Sequence, residues 1–113
     1  MSEMVVSSRK VEIAVDHPAF DGHFPAQPVL PGVALLAEVL EAALREPALA
    51  ASIGAEPRLA VVKFLAPVGP GTALSIDFRL GVRMLEWRVR DDTRDVASGQ
   101  IARADIGAGA PPS

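Results

Sequence analysis

Residues 22–33 read GHFPAQPVLPGV, and the chain continues directly into ALLAEVLEAALR at residues 34–45. The sixteen residues 17–32 hold four prolines, two glycines and both histidines of the chain. So many prolines and glycines favour an irregular, well-packed loop, and Pro31 suits the first turn of a helix, where its missing N–H has no helical partner to lose. A turn alone does not require a histidine at position 23. The stretch therefore predicts a loop with a chemical role that leads into a helix.

The segment after Pro31 predicts a helix from Gly32 to about Arg45, which Pro47 ends. Apolar residues cover most of its circumference and leave a narrow polar stripe. The apolar residues are Val33, Leu35, Leu36, Val39, Leu40, Ala43 and Leu44, and the stripe is Glu38, Glu41 and Arg45. A helix that is apolar nearly all round is enclosed by its surroundings. We therefore expect a sheet, and beyond it a partner subunit, to cover this helix.

Strand patterns lie on both sides of the helix. One precedes it at residues 9–15, and four follow it at residues 58–67, 73–80, 82–90 and 96–106, with glycine, proline or aspartate turns between them. This order predicts an α+β domain in which an antiparallel β-sheet wraps around a central apolar α-helix. We expect one domain over residues 1–106, a connecting loop at residues 48–57 and a disordered tail at residues 107–113.

Composition limits the possible functions. A chain of 113 residues, half of them hydrophobic, supports one core, and an oligomer would bury more of its large relative surface. The absence of cysteine removes disulfides, thiolate metal sites and thiol nucleophiles, and two histidines are too few for a histidine-rich metal cluster. The sequence shows neither a secretion signal nor an apolar run long enough to span a bilayer, so we expect a cytoplasmic protein.

The charge is unevenly distributed. The formal net charge of −3 argues against general nucleic-acid binding. Residues 1–56 hold three of the eleven basic residues and eight of the fourteen acidic ones, whereas residues 57–103 hold eight basic residues and five acidic ones. Either an acidic partner docks on the second half, or the strands there simply carry arginine on a solvated face.

Two residue patterns resemble a known enzyme family. Residues 22–33, GHFPxxPxxPGV, are similar to the active-site loop of the 3-hydroxyacyl-[acyl-carrier-protein] dehydratases of the hot-dog fold. Residues 63–71, KFxxPVxPG, resemble the second recurrent stretch of that family. The similarity covers roughly residues 9–105, and HPAF at residues 17–20 looks most like the short dehydratase-like branch of aryl-polyene and related polyketide-like pathways.

The resemblance implies dehydration of a (3R)-hydroxyacyl thioester on acyl carrier protein to the trans-2-enoyl thioester, without a cofactor or metal, in fatty-acid or polyketide-type biosynthesis. His23 is the implied base, and an imidazole supplies enough neutral base at cell pH. The N–H groups of Gly32 and Val33, at the helix N-terminus, are suited to hold the thioester oxygen. Phe24 and Leu36 are further expected substrate contacts, although Leu36 equally suits an ordinary core position.

The sequence departs from the family at one catalytic position. The resemblance places a carboxylate on the helix fourteen residues after the histidine, where this chain has Ala37. A helix turns about 100° per residue, so Glu38 leaves by another face. Glu41 lies about 40° around the helix and roughly 6 Å further along it, so it is the better candidate for the second catalytic group. Its alternative role is an exposed ion pair with Arg45.

Three functional hypotheses remain open. In the first, the chain is an active dehydratase in which His23 works alone, with Glu41 or with an ordered water. In the second, it is a non-catalytic or half-site subunit that needs a partner chain because of Ala37. In the third, it is a hot-dog thioesterase or acyl-binding protein. The first two imply a homo- or hetero-oligomer built from hot-dog dimers. The expected docking residues for the acidic carrier protein are Arg58, Lys63, Arg79 and Arg83.

Overall fold

One antiparallel sheet and two helices make up the fold of the computed structural model, which describes residues 5–20 and 29–105. The strands are β1 (Val5–Glu12), β2 (Arg58–Phe64), β3 (Ala73–Leu80), β4 (Met84–Arg90) and β5 (Asp95–Ala102). The helices are α1 (Gly32–Leu44) and α2 (Pro47–Ile53), and a short 3₁₀ turn spans Pro18–Phe20. The predicted α+β architecture is confirmed.

The described strands are ordered β1-β3-β4-β5-β2, and each pairs antiparallel to its neighbours. Apolar and polar residues alternate along β3 and β4, so one face of the sheet is buried and the other is solvated. The buried side chains of these two strands are Leu74, Ile76, Phe78, Leu85, Trp87 and Val89. β2 forms one edge of the sheet, and most of its residues are exposed on both faces.

Helix α1 packs on the buried face of the sheet through Leu35, Val39, Ala42 and Ala43. Its opposite side is not covered in the single chain, where Val33 is 64% exposed and Leu44 is 52% exposed. The prediction that the sheet encloses the helix is therefore confirmed for one side, and an apolar stripe is left on the other.

Two segments differ from the sequence-based expectation. Residues 48–57 were expected to be a loop, but Pro47 both ends α1 and opens α2, whose Leu49, Ser52 and Ile53 are buried. The first strand lies at residues 5–12 rather than 9–15, because the chain leaves the sheet after Ile13 and leaves Val15 74% exposed.

Within the described residues, no helix is long and apolar enough to cross a membrane. Among the same residues, no group of acidic and histidine side chains is arranged to hold a metal ion. The tail expected at residues 107–113 lies outside the described residues, and its disorder stays a prediction.

Candidate active site

Helix α1 begins at Gly32, with Pro31 as its N-cap residue in an extended conformation. The N–H of Leu30 donates to the carbonyl of Val68 at 2.7 Å and fixes the backbone just before the cap. Among the described residues no side chain caps this helix start. First-turn N–H groups have no partner within a helix, so those of Gly32 and Val33 are suited to donate hydrogen bonds to a negatively charged oxygen.

An apolar groove of about 500 Å³ adjoins this helix start. It lies between α1 and the chain that follows β2. Its lining residues are Val29, Leu30, Gly32, Leu35, Phe64, Leu65, Ala66, Pro67 and Val68. Phe64 is 52% exposed, and its ring packs on the backbone of Gly32, where a β-carbon would lie 2.7 Å from the ring carbon Cζ. Only a glycine leaves room for this contact.

The expected substrate-binding residues are distributed unevenly around this groove. Gly32 lines it, whereas Val33 is exposed beside it and Leu36 is half-buried against the core. Leu35, which with its neighbours Leu36, Val39 and Leu40 was a candidate for lining an acyl tunnel, does line the groove, and so does Phe64, which the sequence reasoning did not select. The KF pattern at residues 63–64 could have identified Phe64 as a candidate lining residue, because β2 ends there. His23 and Phe24 lie outside the described residues, and their roles stay predictions.

Ala37 is exposed on the uncovered side of α1, the same side as Val33 and Leu44. Glu41 also lies on the exposed side and accepts a hydrogen bond from Nη2 of Arg45 at 3.2 Å. The side chains of Arg45 and Glu41 are 61% and 60% exposed. The expected ion pair is thus present, and the catalytic role of Glu41 stays a prediction.

Glu38 leaves α1 by a different face, as expected, and meets His17. Its Oε2 lies 3.2 Å from Nε2 of His17, and both side chains are 22% exposed. The N–H of Ala19 donates to Nδ1 of His17 at 3.0 Å, so the imidazole caps the turn that follows it. The sequence reasoning missed the contact with Glu38 because it joins residues far apart in the chain.

The four expected docking residues are all exposed but form two groups. Lys63 and Arg79 line a shallow cavity of about 250 Å³ on the solvated face of the sheet. Arg88 and Arg90 line the same cavity, although the sequence reasoning had not selected them. Arg58 starts β2, beside Ala102, and Arg83 lies in the turn between β3 and β4. These last two do not line the cavity.

Clearly displaced pKa values occur in turns outside the groove. The N–H of Thr93 donates to Asp91 at 2.8 Å and, with Arg94, lowers the pKa of that carboxyl group. A hydrogen bond from Arg103 lowers the pKa of Asp105, and the same bond raises the pKa of the Arg103 guanidinium. These groups order turns and are not placed for chemistry at the groove.

Comparison with known proteins identifies relatives of the whole domain. Residues 4–100 match the family model described as ApeI-like, ApeI dehydratase. A 3-hydroxyacyl-[acyl-carrier-protein] dehydratase, FabZ, of Nitrobacter hamburgensis is 34% identical over 104 residues, covering 85% of this chain and 68% of that protein.

Solved structures give the same picture of the fold. A chain of the dehydratase heterocomplex ApeI:P from Xenorhabdus doucetiae superposes with a TM-score of 0.68 at 25% identity, covering 91% of this chain and 98% of that one. A hot-dog-like protein from Thermanaerovibrio acidaminovorans superposes with a TM-score of 0.60 at 17% identity, covering 88% of this chain and 80% of that one, and this likeness concerns the fold alone. The sheet and helix described above therefore form a hot-dog fold.

Proposed function

The chain belongs to the ApeI-like family of dehydratases, and from that premise we propose that it is a hydro-lyase acting on a (3R)-hydroxyacyl thioester of acyl carrier protein. The product is the trans-2-enoyl thioester plus water, as in fatty-acid or polyketide-type biosynthesis. One observation carries the proposal beyond the family match: the uncapped start of α1 opens onto the apolar groove. That arrangement suits a thioester carbonyl with an acyl chain attached.

His23 is the proposed base, which takes a proton from C2 of the substrate. The electrons of that C–H bond move toward the thioester oxygen, and the N–H groups of Gly32 and Val33 stabilise the charge that develops there. Donors aimed at developing charge in a dry site are worth more than the same donors in water. The C3 hydroxyl then leaves as water after it receives a proton, so the step needs one base, one acid and the helix start.

The groove is the proposed site for the first carbons of the acyl chain. Its volume of about 500 Å³ falls within the usual range of ligand pockets, about 300–1,000 Å³. The side chains of the lining are apolar and include Leu35 and Phe64, so an acyl chain that replaces water against them gains from the burial of apolar surface. The length and saturation of the acyl chain that the protein accepts depend on how far this groove continues in the assembled protein.

Glu41 is the proposed second catalytic group in a chain that acts alone. It lies on the exposed side of α1 with Ala37, one helical turn further on. Its ion pair with Arg45 is solvated, and such pairs contribute little stability, about 0.2–1 kcal/mol, so a substrate can displace it at small cost. An ordered water is the alternative acid in the same scheme.

A half-site role is the second candidate function, and two observations favour it. The exposed stripe of α1 presents Ala37 between apolar residues where the family carries a carboxylate. The exposed edge strand β2 also leaves Leu59, Val61 and Phe64 uncovered. A related chain occurs in a dehydratase heterocomplex, so we propose as the alternative that a homologous partner covers these surfaces and supplies the missing carboxylate.

The carrier protein is the proposed source of the substrate, and acyl carrier proteins are acidic. Lys63 and Arg79 share one cavity with other basic residues that outnumber its two acidic ones, so this face of the sheet is the better supported docking surface of the two groups. The basic lining residues are Lys63, Arg79, Arg88 and Arg90, and the acidic ones are Asp77 and Glu86. Arg58, at the start of β2, and Arg83, in the turn between β3 and β4, stay proposed contacts.

The function is tested with purified protein and a 3-hydroxyacyl carrier-protein thioester, followed by mass spectrometry. Loss of one water from the acyl group supports the dehydratase. Absence of turnover that is restored by a homologous, separately inactive partner chain favours the half-site alternative. Release of the free acid would instead support a thioesterase and contradict both.

A further inference from the structure

The His17–Glu38 hydrogen bond joins the turn before residues 21–28 to the middle of α1, two parts of the chain far apart in sequence. His17 opens the turn at Pro18–Phe20, from which the chain enters residues 21–28, and Glu38 lies in the middle of α1. The ring of His17 accepts a hydrogen bond at Nδ1 from the N–H of Ala19, so Nδ1 carries no proton in this arrangement. Its proton is therefore on Nε2, which donates to Oε2 of Glu38 at 3.2 Å.

This bonding pattern defines what His17 can do. Both ring nitrogens are occupied, so the ring has no free lone pair with which to act as a base. The ring is also held from the side by Phe20, whose ring meets it edge-on with centroids 6.1 Å apart. Main-chain bonds from His17 to Ala14 and from Phe20 to His17 fold the turn around it. His17 is therefore suited to hold the turn in place.

The two flanks of residues 21–28 are anchored in different ways. After the segment, Leu30 is held by a main-chain bond to Val68. Before it, the turn is tied to α1 by the side chains of His17 and Glu38. Because Glu38 and Gly32 belong to one rigid helix, six residues and about 9 Å apart along its axis, this bond sets the distance between the turn and the helix start.

We propose that His17 and Glu38 are positioning residues for the dehydration, whose hydrogen bond fixes where the chain enters residues 21–28 relative to the N–H groups of Gly32 and Val33. This inference rests on the proposed function, in which His23 works opposite those groups. A misplacement of about 1 Å can cost about 10²-fold in rate. The groove and the helix start do not depend on the bond, so its loss should lower kcat and leave KM nearly unchanged.

Four variants separate positioning from other roles. Glu38→Ala removes the acceptor, whereas Glu38→Gln keeps an oxygen that can accept from Nε2 of His17. His17→Asn keeps an acceptor for the Ala19 N–H but is too short to reach Glu38. The matched control is Glu46→Ala, which breaks the comparable ion pair of Glu46 with Arg9, at 3.3 Å, away from the groove.

We expect kcat to fall about 10- to 100-fold in Glu38→Ala and in His17→Asn, with no further loss when the two are combined. Glu38→Gln should stay within about threefold of the parent protein, and Glu46→Ala should be unchanged. Unaltered kcat in Glu38→Ala would overturn the proposal. Equal damage from Glu38→Gln and Glu38→Ala would also overturn it, since that result requires the carboxylate charge itself.

A second measurement does not depend on activity. Amide hydrogen exchange of the peptides that cover residues 18–30 should be several-fold faster in Glu38→Ala and His17→Asn than in the parent, and unchanged in Glu38→Gln and Glu46→Ala. If the parent protein shows no turnover while this exchange pattern holds, the proposed function fails and the anchoring role stands. Unchanged exchange in all four variants would contradict the anchoring role whatever the activity.

Discussion

The ring of Phe64 lies directly on the backbone of Gly32, so close that a β-carbon at position 32 would sit 2.7 Å from Cζ of the ring. The end of β2 and the start of α1 therefore share one contact, and that contact forms a wall of the apolar groove. Any residue other than glycine at position 32 must displace the ring.

This contact makes Gly32→Ala a test of the groove. We expect the substitution to destabilise the protein by about 1–3 kcal/mol through overpacking and to raise KM because the displaced ring narrows the groove. In Phe64→Ala the clash is absent, so Gly32→Ala should cost almost nothing in that background. Urea unfolding of the four proteins measures the coupling. Additive free energies of unfolding would show that the two residues do not touch.

Glu41→Gln tests the proposed second catalytic group. Loss of a general acid costs about 10²- to 10⁴-fold in rate, so we expect kcat to fall by at least about 10²-fold. Arg45→Gln is the matched control, because it breaks the same exposed ion pair and keeps the carboxylate. It should leave kcat within about threefold and stability within about 0.5 kcal/mol. Equal kcat values for Glu41→Gln and Arg45→Gln would show that water or a partner chain, and not Glu41, supplies the general acid.

Lys63→Glu and Arg79→Glu test the docking surface. Each should raise KM for the carrier-protein substrate about 10-fold at low salt, and the effect should shrink as ionic strength rises. A small pantetheine thioester, which does not use the surface, should react equally well with all variants. Lys10→Glu is the control, because Lys10 lies on the edge strand β1 and does not line the cavity. Salt-insensitive KM values would contradict electrostatic docking.

Gly99→Ala should destabilise the sheet. A β-carbon at position 99 would collide with the indole ring of Trp87 and lie 2.5 Å from the carbonyl oxygen of Val61. Trp87 is almost fully buried and its neighbours are close-packed, so we expect a loss of about 1–3 kcal/mol. Denaturant unfolding measures it. A fall in the free energy of unfolding of less than about 0.5 kcal/mol would show that β4 and β5 shift easily to accommodate the added methyl group.

Asp91→Asn tests the turn between β4 and β5 through its pH dependence. Hydrogen bonds from Thr93 and Arg94 lower the pKa of Asp91 in the folded state. The ionised group therefore stabilises the fold at neutral pH, and that contribution is lost as pH falls through the lowered pKa. The melting temperature of Asp91→Asn should be below that of the parent at pH 7, and the two should converge as pH falls below the ordinary aspartate range and through the lowered pKa. A constant difference across this range would contradict the assignment.

The hydrophobic periodicity made the main elements of the fold predictable from the sequence. Pro31 and the apolar run after it located α1, and alternation located β3 at residues 73–80. Helix α2 was missed because Pro47 can end one helix and begin the next. The short segment after it, rich in alanine and leucine, does not distinguish a loop from a second helix. The predicted first strand extended to Val15 because an apolar residue fits the alternating pattern even where it is exposed in the structure.

The candidate site was predictable where a residue acts through the backbone. Gly32 followed from the helix start and the family resemblance, which the comparisons confirm. Contacts between distant parts of the chain were not predictable: Phe64 reaches Gly32 from the other side of the groove, and Glu38 reaches His17 across 21 residues. Side-chain direction at such contacts depends on packing, which periodicity does not encode.

We propose that this chain dehydrates a 3-hydroxyacyl carrier-protein thioester with His23 as the base. The most direct test is single-turnover mass spectrometry of that thioester with the parent protein and with His23→Ala, each alone and each with a homologous partner chain. We expect loss of one water with the parent, and a rate at least about 10²-fold lower with His23→Ala under the same conditions. Equal rates in the two proteins, or release of the free acid by the parent, would contradict it.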